Sequence, residues 1–249
     1  MSKTISLLSY NVHKCFQTHS QRHIATDIHE ALKEADPDLV LLQEVQGQHR
    51  KNRFQYQHDP ETPDYELLAQ DYWPHIIYGK NAIYKDAHHG NAILSKMPLG
   101  DWENIDISRM VRASRSILHV SIDGKRKYPL HIICVHLGLF KQERIEQLET
   151  LSKRIHEHVP DDCPMIIAGD FNDWLRHATN PMEKELGLKE VFKETTGDYA
   201  KTFPAKWPTL RVDRIYYRGL KLIKSNVLKD PPWRELSDHL PVYAEFELC

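Results

Sequence analysis

Hydrophobic positions along this chain fall into short runs, and the runs keep meeting residues that bind metals or move protons. Ile5-Ser6-Leu7-Leu8-Ser9-Tyr10 leads into Asn11, and Leu39-Val40-Leu41-Leu42-Gln43 leads into Glu44. Leu130-His131-Ile132-Ile133-Cys134-Val135 reaches His136, and Met165-Ile166-Ile167-Ala168-Gly169 reaches Asp170-Phe171-Asn172. Near the end, Asp213 precedes Ile215-Tyr216-Tyr217, and Ser237-Asp238-His239 precedes Leu240-Pro241-Val242-Tyr243. Runs this short read as buried strands. A core pays heavily for an unpaired carboxylate or imidazole, so these groups are expected where strands emerge at one sheet edge, as an active site.

Helical patterns separate the strands. Arg22 to Ala35 aligns Ile24, Ile28, Ala31, Leu32 and Ala35, and Asp36-Pro37-Asp38 stops it. Asp64 is a candidate cap for a short helix reaching Trp73. A longer helix from Gln142 to about His158 aligns Ile145, Leu148, Ser152, Ile155 and Val159, with its other faces charged. Asn180-Pro181 opens another helix and Gly187 closes it. Residues 76–84 and 91–97 read as a hairpin. Helices between strands, with hairpins among them, predict an α/β protein with mixed sheets. The polar stretch 46–63, with Arg50, Lys51, Arg53, Phe54 and Tyr56, reads equally as a solvated insertion or a substrate-binding loop.

Composition narrows the class. The 249 residues carry a net charge of -2, so tight sequence-independent DNA binding through many cationic contacts is disfavoured. Gly and Pro are scattered without a linker or repeat, so a single domain over 1–249 is expected. No run approaches the roughly 20 residues that span a bilayer, and Met1-Ser2-Lys3-Thr4 leads straight into a strand pattern rather than a signal peptide. The four cysteines, Cys15, Cys134, Cys163 and Cys249, lack metal-pair spacing and read as reduced thiols, which points to the cytoplasm. Most of the 16 histidines are expected at the surface, and His19, His23, His29, His49, His58, His156, His158 and His177 sit in no motif.

Chemistry enters with the run ends. Asn11 and Glu44 offer hard oxygen ligands suited to Mg²⁺ or Mn²⁺. Zinc suits the chain less, since no Cys or His cluster has zinc spacing. Asp170 and Asn172 lie two apart and share a face in an extended segment, where one can align water and the other support a phosphoryl oxygen. His239 can serve as general base if a carboxylate fixes its tautomer, and Asp213 is the best candidate, leaving Asp238 freer to face the metal. His136 can donate to the oxyanion growing at phosphorus. Together these groups suit metal-assisted in-line hydrolysis of a phosphate ester. Taken singly, Ser-Asp-His is more often a turn with a helix cap, Gly-Asp-Phe-Asn-Asp reads also as a tight turn, and Val135-His136 is more often a satisfied core histidine than a catalyst.

Taken in order, Ser9-Tyr10-Asn11-Val12-His13, Leu42-Gln43-Glu44-Val45, Gly90-Asn91-Ala92-Ile93-Leu94-Ser95-Lys96, Val135-His136-Leu137, Gly169-Asp170-Phe171-Asn172-Asp173, Arg211-Val212-Asp213-Arg214-Ile215 and Ser237-Asp238-His239-Leu240-Pro241 resemble the successive motifs of the endonuclease/exonuclease/phosphatase (DNase I-like) superfamily. Within it the chain is similar to a small bacterial group often associated with phospholipid-synthesis genes. The resemblance implies a four-layer α/β/β/α sandwich with two mixed β-sheets and a site at one end. It implies metal ligation by Asn11 and Glu44 with Asp238 nearby, His239 paired with Asp213 as base, Asp170 and Asn172 orienting nucleophile and phosphate, and His136 stabilising the transition state. Arg115 falls at a position that faces the phosphate or is a surface arginine. His136 stands where abasic-site endonucleases carry tyrosine, and no basic, aromatic DNA grip is evident beyond the 46–63 loop, which weighs against DNA repair. Trp207 and Trp233 either shape a substrate pocket or pack in the core.

The expectation is a Mg²⁺- or Mn²⁺-dependent phosphodiesterase or phosphatase acting on a small-molecule or lipid-derived phosphate ester. A DNA or RNA nuclease is the competing reading, and a catalytically idle phosphate-binding module is the third. No protein partner is evident.

Overall fold

Strict alternation along the apolar runs decides the architecture. In the computed structural model, which describes residues 4–17, 20, 22–49, 62–83, 87–109, 114–123 and 127–248, the runs form twelve strands. In chain order they are β1 (Thr4–Asn11), β2 (Leu39–His49), β3 (His75–Ile83), β4 (Ala87–Ser95), β5 (Trp102–Asp106), β6 (Ser116–Ile122), β7 (Leu130–His136), β8 (Met165–Asp170), β9 (Lys189–Glu190), β10 (Asp213–Arg218), β11 (Leu220–Val227) and β12 (Val242–Leu248). They make two mixed six-stranded sheets, ordered β11-β12-β1-β2-β4-β3 and β5-β6-β7-β8-β10-β9. The helices are α1 (Ala25–Ala35), α2 (Asp64–Ala69), α3 (Lys141–His158), α4 (Val191–Thr196) and α5 (Trp233–Leu236).

Because side chains alternate across a strand, each run feeds two different cores. Ile5 and Leu7 of β1, Leu39 and Leu41 of β2, Ile132 and Cys134 of β7, and Ile166 and Ala168 of β8 pack between the sheets. Their neighbours Leu8, Tyr10, Val40 and Leu42 pack outward under α1, α2 and α5, and Ile133, Val135, Met165 and Ile167 pack outward under α3. Strands buried on both faces read as unbroken apolar runs. The result is the four-layer α/β/β/α sandwich.

The helices depart from expectation in detail. Helix α1 starts at Ala25 rather than Arg22 and ends where Asp36 turns left-handed. Asp64 lies inside the first turn of α2, capped by Pro63, because its buried carboxylate takes His23 Nε2 at 2.9 Å instead of a helix N–H. Helix α3 buries Glu143, Arg144 and Gln147 as well as Leu148, Leu151, Ser152 and Ile155, so its first turns carry polar groups inward. Asn180–Glu185 forms the expected helix as a short, widened π-type one, with Pro181 in its first turn and Thr179 rather than Asn180 at the cap position. Strand β3 meets β4 as the expected antiparallel hairpin pair, although β4 begins at Ala87. Within the 46–63 stretch, residues 46–49 continue β2, and residues 50–61 lie outside the described residues, as does Cys249. The expectation of surface histidines fails for His23, His29, His119 and His131, all buried and hydrogen-bonded. No helix among the described residues is long and apolar enough to cross a membrane.

Candidate active site

One alternation rule delivers the reactive groups to one edge. Asn11 is the next inter-sheet position after Ile5, Leu7 and Ser9, His136 follows Leu130, Ile132 and Cys134, and Asp170 follows Ile166 and Ala168. β10 runs antiparallel to β8, so Asp213 begins its strand directly opposite Asp170. β7 and β8 run parallel, so His136 stands opposite Asp170 on the other side. β12 runs antiparallel to β1, which returns the preceding Ser237-Asp238-His239 segment to the same rim. Ser237 Oγ ties this segment down by donating to the Asn11 carbonyl at 2.7 Å.

Glu44 needs an extra device. Simple alternation would send it outward with Val40 and Leu42, under the helices. A bulge between Leu42 and Val45 lets Val45 take the outward position, and Glu44 adopts a left-handed φ of 56°. Its carboxylate thereby faces the cleft. Gly169 serves packing next to Asp170: with φ 149°, any Cβ there would lie 1.9 Å from the Val135 carbonyl oxygen.

The cleft encloses about 460 Å³ and is lined by Glu44, Arg115, His136, Asp170, Asn172, Asp238 and His239, with His13 and Lys14 beside them. Asp170 Oδ2 is its hub. It accepts from Asn11 Nδ2 at 3.2 Å and Asn172 Nδ2 at 3.3 Å, with His136 Nε2 at 3.5 Å and His239 Nε2 at 3.8 Å. His239 Nδ1 meets Asp213 Oδ2 at 2.9 Å, and the Thr202 hydroxyl donates to the same carboxylate oxygen. Asp213 therefore sits behind the histidine, and Nε2 faces the cleft. Asn172 departs from the extended geometry expected of it. At φ 48° it turns left-handed, its N–H donates to Asp170 Oδ1 at 2.8 Å, and its amide also donates to the Leu137 carbonyl at 3.0 Å. The two residues meet through a tight turn rather than a shared strand face.

Charge is arranged unevenly. Burial opposes a charge on His239, but Asp213 and Asp170 on either side push it up to about 10. Burial drives Asp170 up to about 7, with His239 pulling down and Asp213 pushing up. Burial, reinforced by Arg115, drives His136 well below the usual imidazole range, so it stands neutral and able to donate one N–H. Glu44 resists burial and is held to about 2 by His136, Lys14, His13 and His89. Burial keeps His136 and His89 neutral at neutral pH, and Lys14, with Nζ 3.7 Å from Oε2, is a standing cation there.

Two oxygen-rich sets bear on a divalent ion. Asp170, Asp213 and His239 bring ligand atoms within 4.8 Å of one another. However, His239 Nδ1 and Asp213 Oδ2 are already hydrogen-bonded to each other, which suits a proton relay better than coordination. Glu44, ionised and open to the cleft, with the Asn11 side-chain carbonyl accepting among the described residues only the His13 N–H at 3.1 Å, is the better fit for a hard cation. Asp238 joins the same mouth, its Oδ1 3.5 Å from His13 Nδ1. Arg115 lines the cleft and is held by the Leu137 and Ser114 carbonyls.

Sequence reasoning missed His13, Lys14, Thr202, Phe203 and Trp174. His13 and Lys14 lie two and three positions after Asn11, and His13 closes the Ser9–His13 motif, where sequence reasoning gives it no role; Thr202 sits in no motif. Of the tryptophans, Trp233 is core, packed edge-on against Tyr10 with ring centroids 5.7 Å apart. Trp207 is exposed beside the neighbouring cavity that shares Asp238.

Residues 8–239 match the model of the Endonuclease/Exonuclease/phosphatase family. YbhP of Escherichia coli K12 is 39% identical over 249 residues, covering 98% of this chain and 97% of its own. Among solved structures, the mannosyl-6-phosphatase Bt3783 of Bacteroides thetaiotaomicron superposes with a TM-score of 0.72 at 18% identity, covering 97% of this chain and 99% of its own. D. rerio TDP2, solved with a single-strand DNA product, superposes with a TM-score of 0.69 at 21% identity, covering 98% and 99%. Two such different substrates on equally similar scaffolds leave substrate to be argued from the site.

Proposed function

The chain belongs to the endonuclease/exonuclease/phosphatase family, and on that premise we propose that it is a Mg²⁺- or Mn²⁺-dependent phosphoesterase built as one domain over 1–249. The observation that carries this reading is the Asp213–His239–Asp170 chain at the base of the cleft, flanked by a neutral His136 and an ionised Glu44. A binding module has no use for a histidine aligned by a buried carboxylate with its other ring nitrogen turned into a cleft beside a second carboxylate.

Asn11, Glu44 and Asp238 would hold the ion, which when bound supplies positive charge against the phosphate. Asp213 fixes the His239 ring with Nε2 toward the cleft, and the imidazole, raised to about 10 in the metal-free protein, would have to release its Nε2 proton before it takes that of the attacking water. Water oxygen then bonds to phosphorus in line with the departing ester oxygen. Asp170 and Asn172 orient nucleophile and phosphate, His136 donates to the charge that grows on the phosphoryl oxygens, and Arg115 faces the phosphate. A small-molecule or lipid-derived ester is the favoured substrate. Nucleic acid is the second reading, supported by the TDP2 likeness and opposed by a net charge of -2. Buried free thiols at Cys15, Cys134 and Cys163 support a cytoplasmic address.

The test is hydrolysis of bis-p-nitrophenyl phosphate by purified protein. Turnover is expected with Mn²⁺ or Mg²⁺, absent with chelator, and lost in His239→Ala. A wild-type protein inert on phosphodiesters and monoesters with both metals contradicts the reading.

A further inference from the structure

Large apolar side chains on the surface are not scattered in this protein. Among the described residues nine are exposed: Ile76, Trp102, Leu139, Phe140, Trp174, Leu175, Trp207, Leu210 and Ile223. Six of the nine lie on three loops, 137–140, 172–177 and 203–211. Leu139, Trp174 and Leu210 line the catalytic cleft itself. Phe140 and Leu175 adjoin two of them in sequence, and Trp207 stands on the third loop. Isolated exposed apolar residues need no explanation, but a rim of them around one mouth marks a contact surface.

The occupant is constrained by charge and shape. The exposed polar positions include Arg176 and Lys206 on these loops and Lys141 at the start of α3 beside the first, while the loops' one carboxylate, Asp173, is fully buried against Arg144 and Arg214. Lys141 and Lys206 form no ion pair among the described residues. Arg176 and Arg211 are both paired with Asp198, at 2.9 and 2.8 Å, so the rim's cationic character rests on Lys141 and Lys206. Protruding side chains, with Phe140 61%, Leu175 60% and Trp207 79% exposed, suit insertion into a soft surface rather than a preformed pocket. Tryptophan with lysine is a pairing favoured at the lipid–water boundary. Single-stranded nucleic acid would ask for stacking aromatics, and half of this rim is leucine.

We propose that these three loops dock the cleft onto an anionic lipid surface, so that its substrates are phosphate esters carrying apolar tails. This rests on the phosphoesterase reading for the word substrate; the docking itself does not. The experiment pairs two readouts on the full chain. Co-sedimentation with vesicles of phosphatidylcholine and phosphatidylglycerol (3:1) reads docking, with a blue shift of tryptophan emission, and bis-p-nitrophenyl phosphate reads chemistry. Wild type is expected to sediment with vesicles, and the triple variant Phe140→Ser/Leu175→Ser/Trp207→Ser to lose at least tenfold in partitioning while its circular dichroism stays native. Rescue of partitioning by Phe140→Leu/Leu175→Phe/Trp207→Phe supports an apolar rather than a residue-specific contact. A wild-type protein that stays in the supernatant overturns docking, whatever its hydrolytic rate. Oligothymidylate binding that quenches the tryptophans in place of vesicle binding overturns it in favour of nucleic acid. Vesicle binding by a protein inert on the diester supports docking and overturns the phosphoesterase reading instead.

Discussion

Two histidine–aspartate pairs in this molecule have the same hydrogen-bond length and opposite uses. His23 Nε2 meets Asp64 Oδ1 at 2.9 Å, and His239 Nδ1 meets Asp213 Oδ2 at 2.9 Å. All four side chains are buried. The first pair ties the segment before α1 to the first turn of α2, far along the chain from any strand end, and stacks its ring edge-on with Phe16. The second pair sits where β10 begins and β12 is about to begin, with the free imidazole nitrogen turned toward Asp170 and a cleft. A histidine–carboxylate contact is therefore structural by default. Position at an open strand rim, with a second acceptor across the cleft, makes it chemistry.

Substitutions sharpen that contrast. The largest effect is expected for His239→Ala, which should cost on the order of 10³-fold in kcat/KM on bis-p-nitrophenyl phosphate, while His23→Ala stays within about threefold. Equal losses in the two would break the comparison. Asp213→Asn should cost about 10²-fold or more by freeing the imidazole tautomer, with little change in KM, whereas Asp64→Asn should leave kcat alone. Stability reverses the ranking. His23→Ala removes a buried partner of Asp64 and should cost about 1–3 kcal/mol in urea unfolding, with no loss of catalytic rate per folded molecule. Glu44→Gln should raise the half-saturating Mn²⁺ concentration roughly tenfold or more with excess metal restoring part of the rate, since a charged ligand is replaced by a neutral one.

The smallest effect is in pH dependence of the metal-free protein. His239 is raised to about 10, so it binds a proton in the folded state that the unfolded chain releases near its ordinary value of 6.5. Its contribution is full below 6.5 and is lost as pH climbs through 10, at no more than about 1.4 kcal/mol per pH unit. Asp170, raised to about 7, loses its share mostly below that pH, and the depressed His136 acts only on the acid side. Stability should thus fall between pH 7 and 10 in wild type and fall less steeply in Asp213→Asn. Parallel slopes would mean Asp213 does not hold the proton on His239.

Much of this site was legible because alternation by two is rigid. Once Ile5-Leu7 and Ile166-Ala168 are inter-sheet positions, Asn11 and Asp170 can only emerge on the same seam. What alternation cannot foresee is a break in itself. The bulge that turns Glu44 into the cleft and the left-handed turn at Asn172 are local backbone departures that no residue spacing announces. The buried histidines were misread for a related reason: their partners, Asp64 for His23 and the Leu68 carbonyl for His29, are 41 and 39 positions away. Burial of Glu143, Arg144 and Gln147 at the start of α3 likewise depends on the Gly138 and Leu139 backbone and on Asp173, none of which a helical wheel displays.

The most direct test separates relay from ligand. Crystals grown with Mn²⁺ and examined by anomalous scattering should show the ion against Glu44 and Asn11, with the His239–Asp213 hydrogen bond intact. An ion coordinated instead by Asp170, Asp213 and His239, with that hydrogen bond broken, would contradict the assignment of His239 to proton transfer.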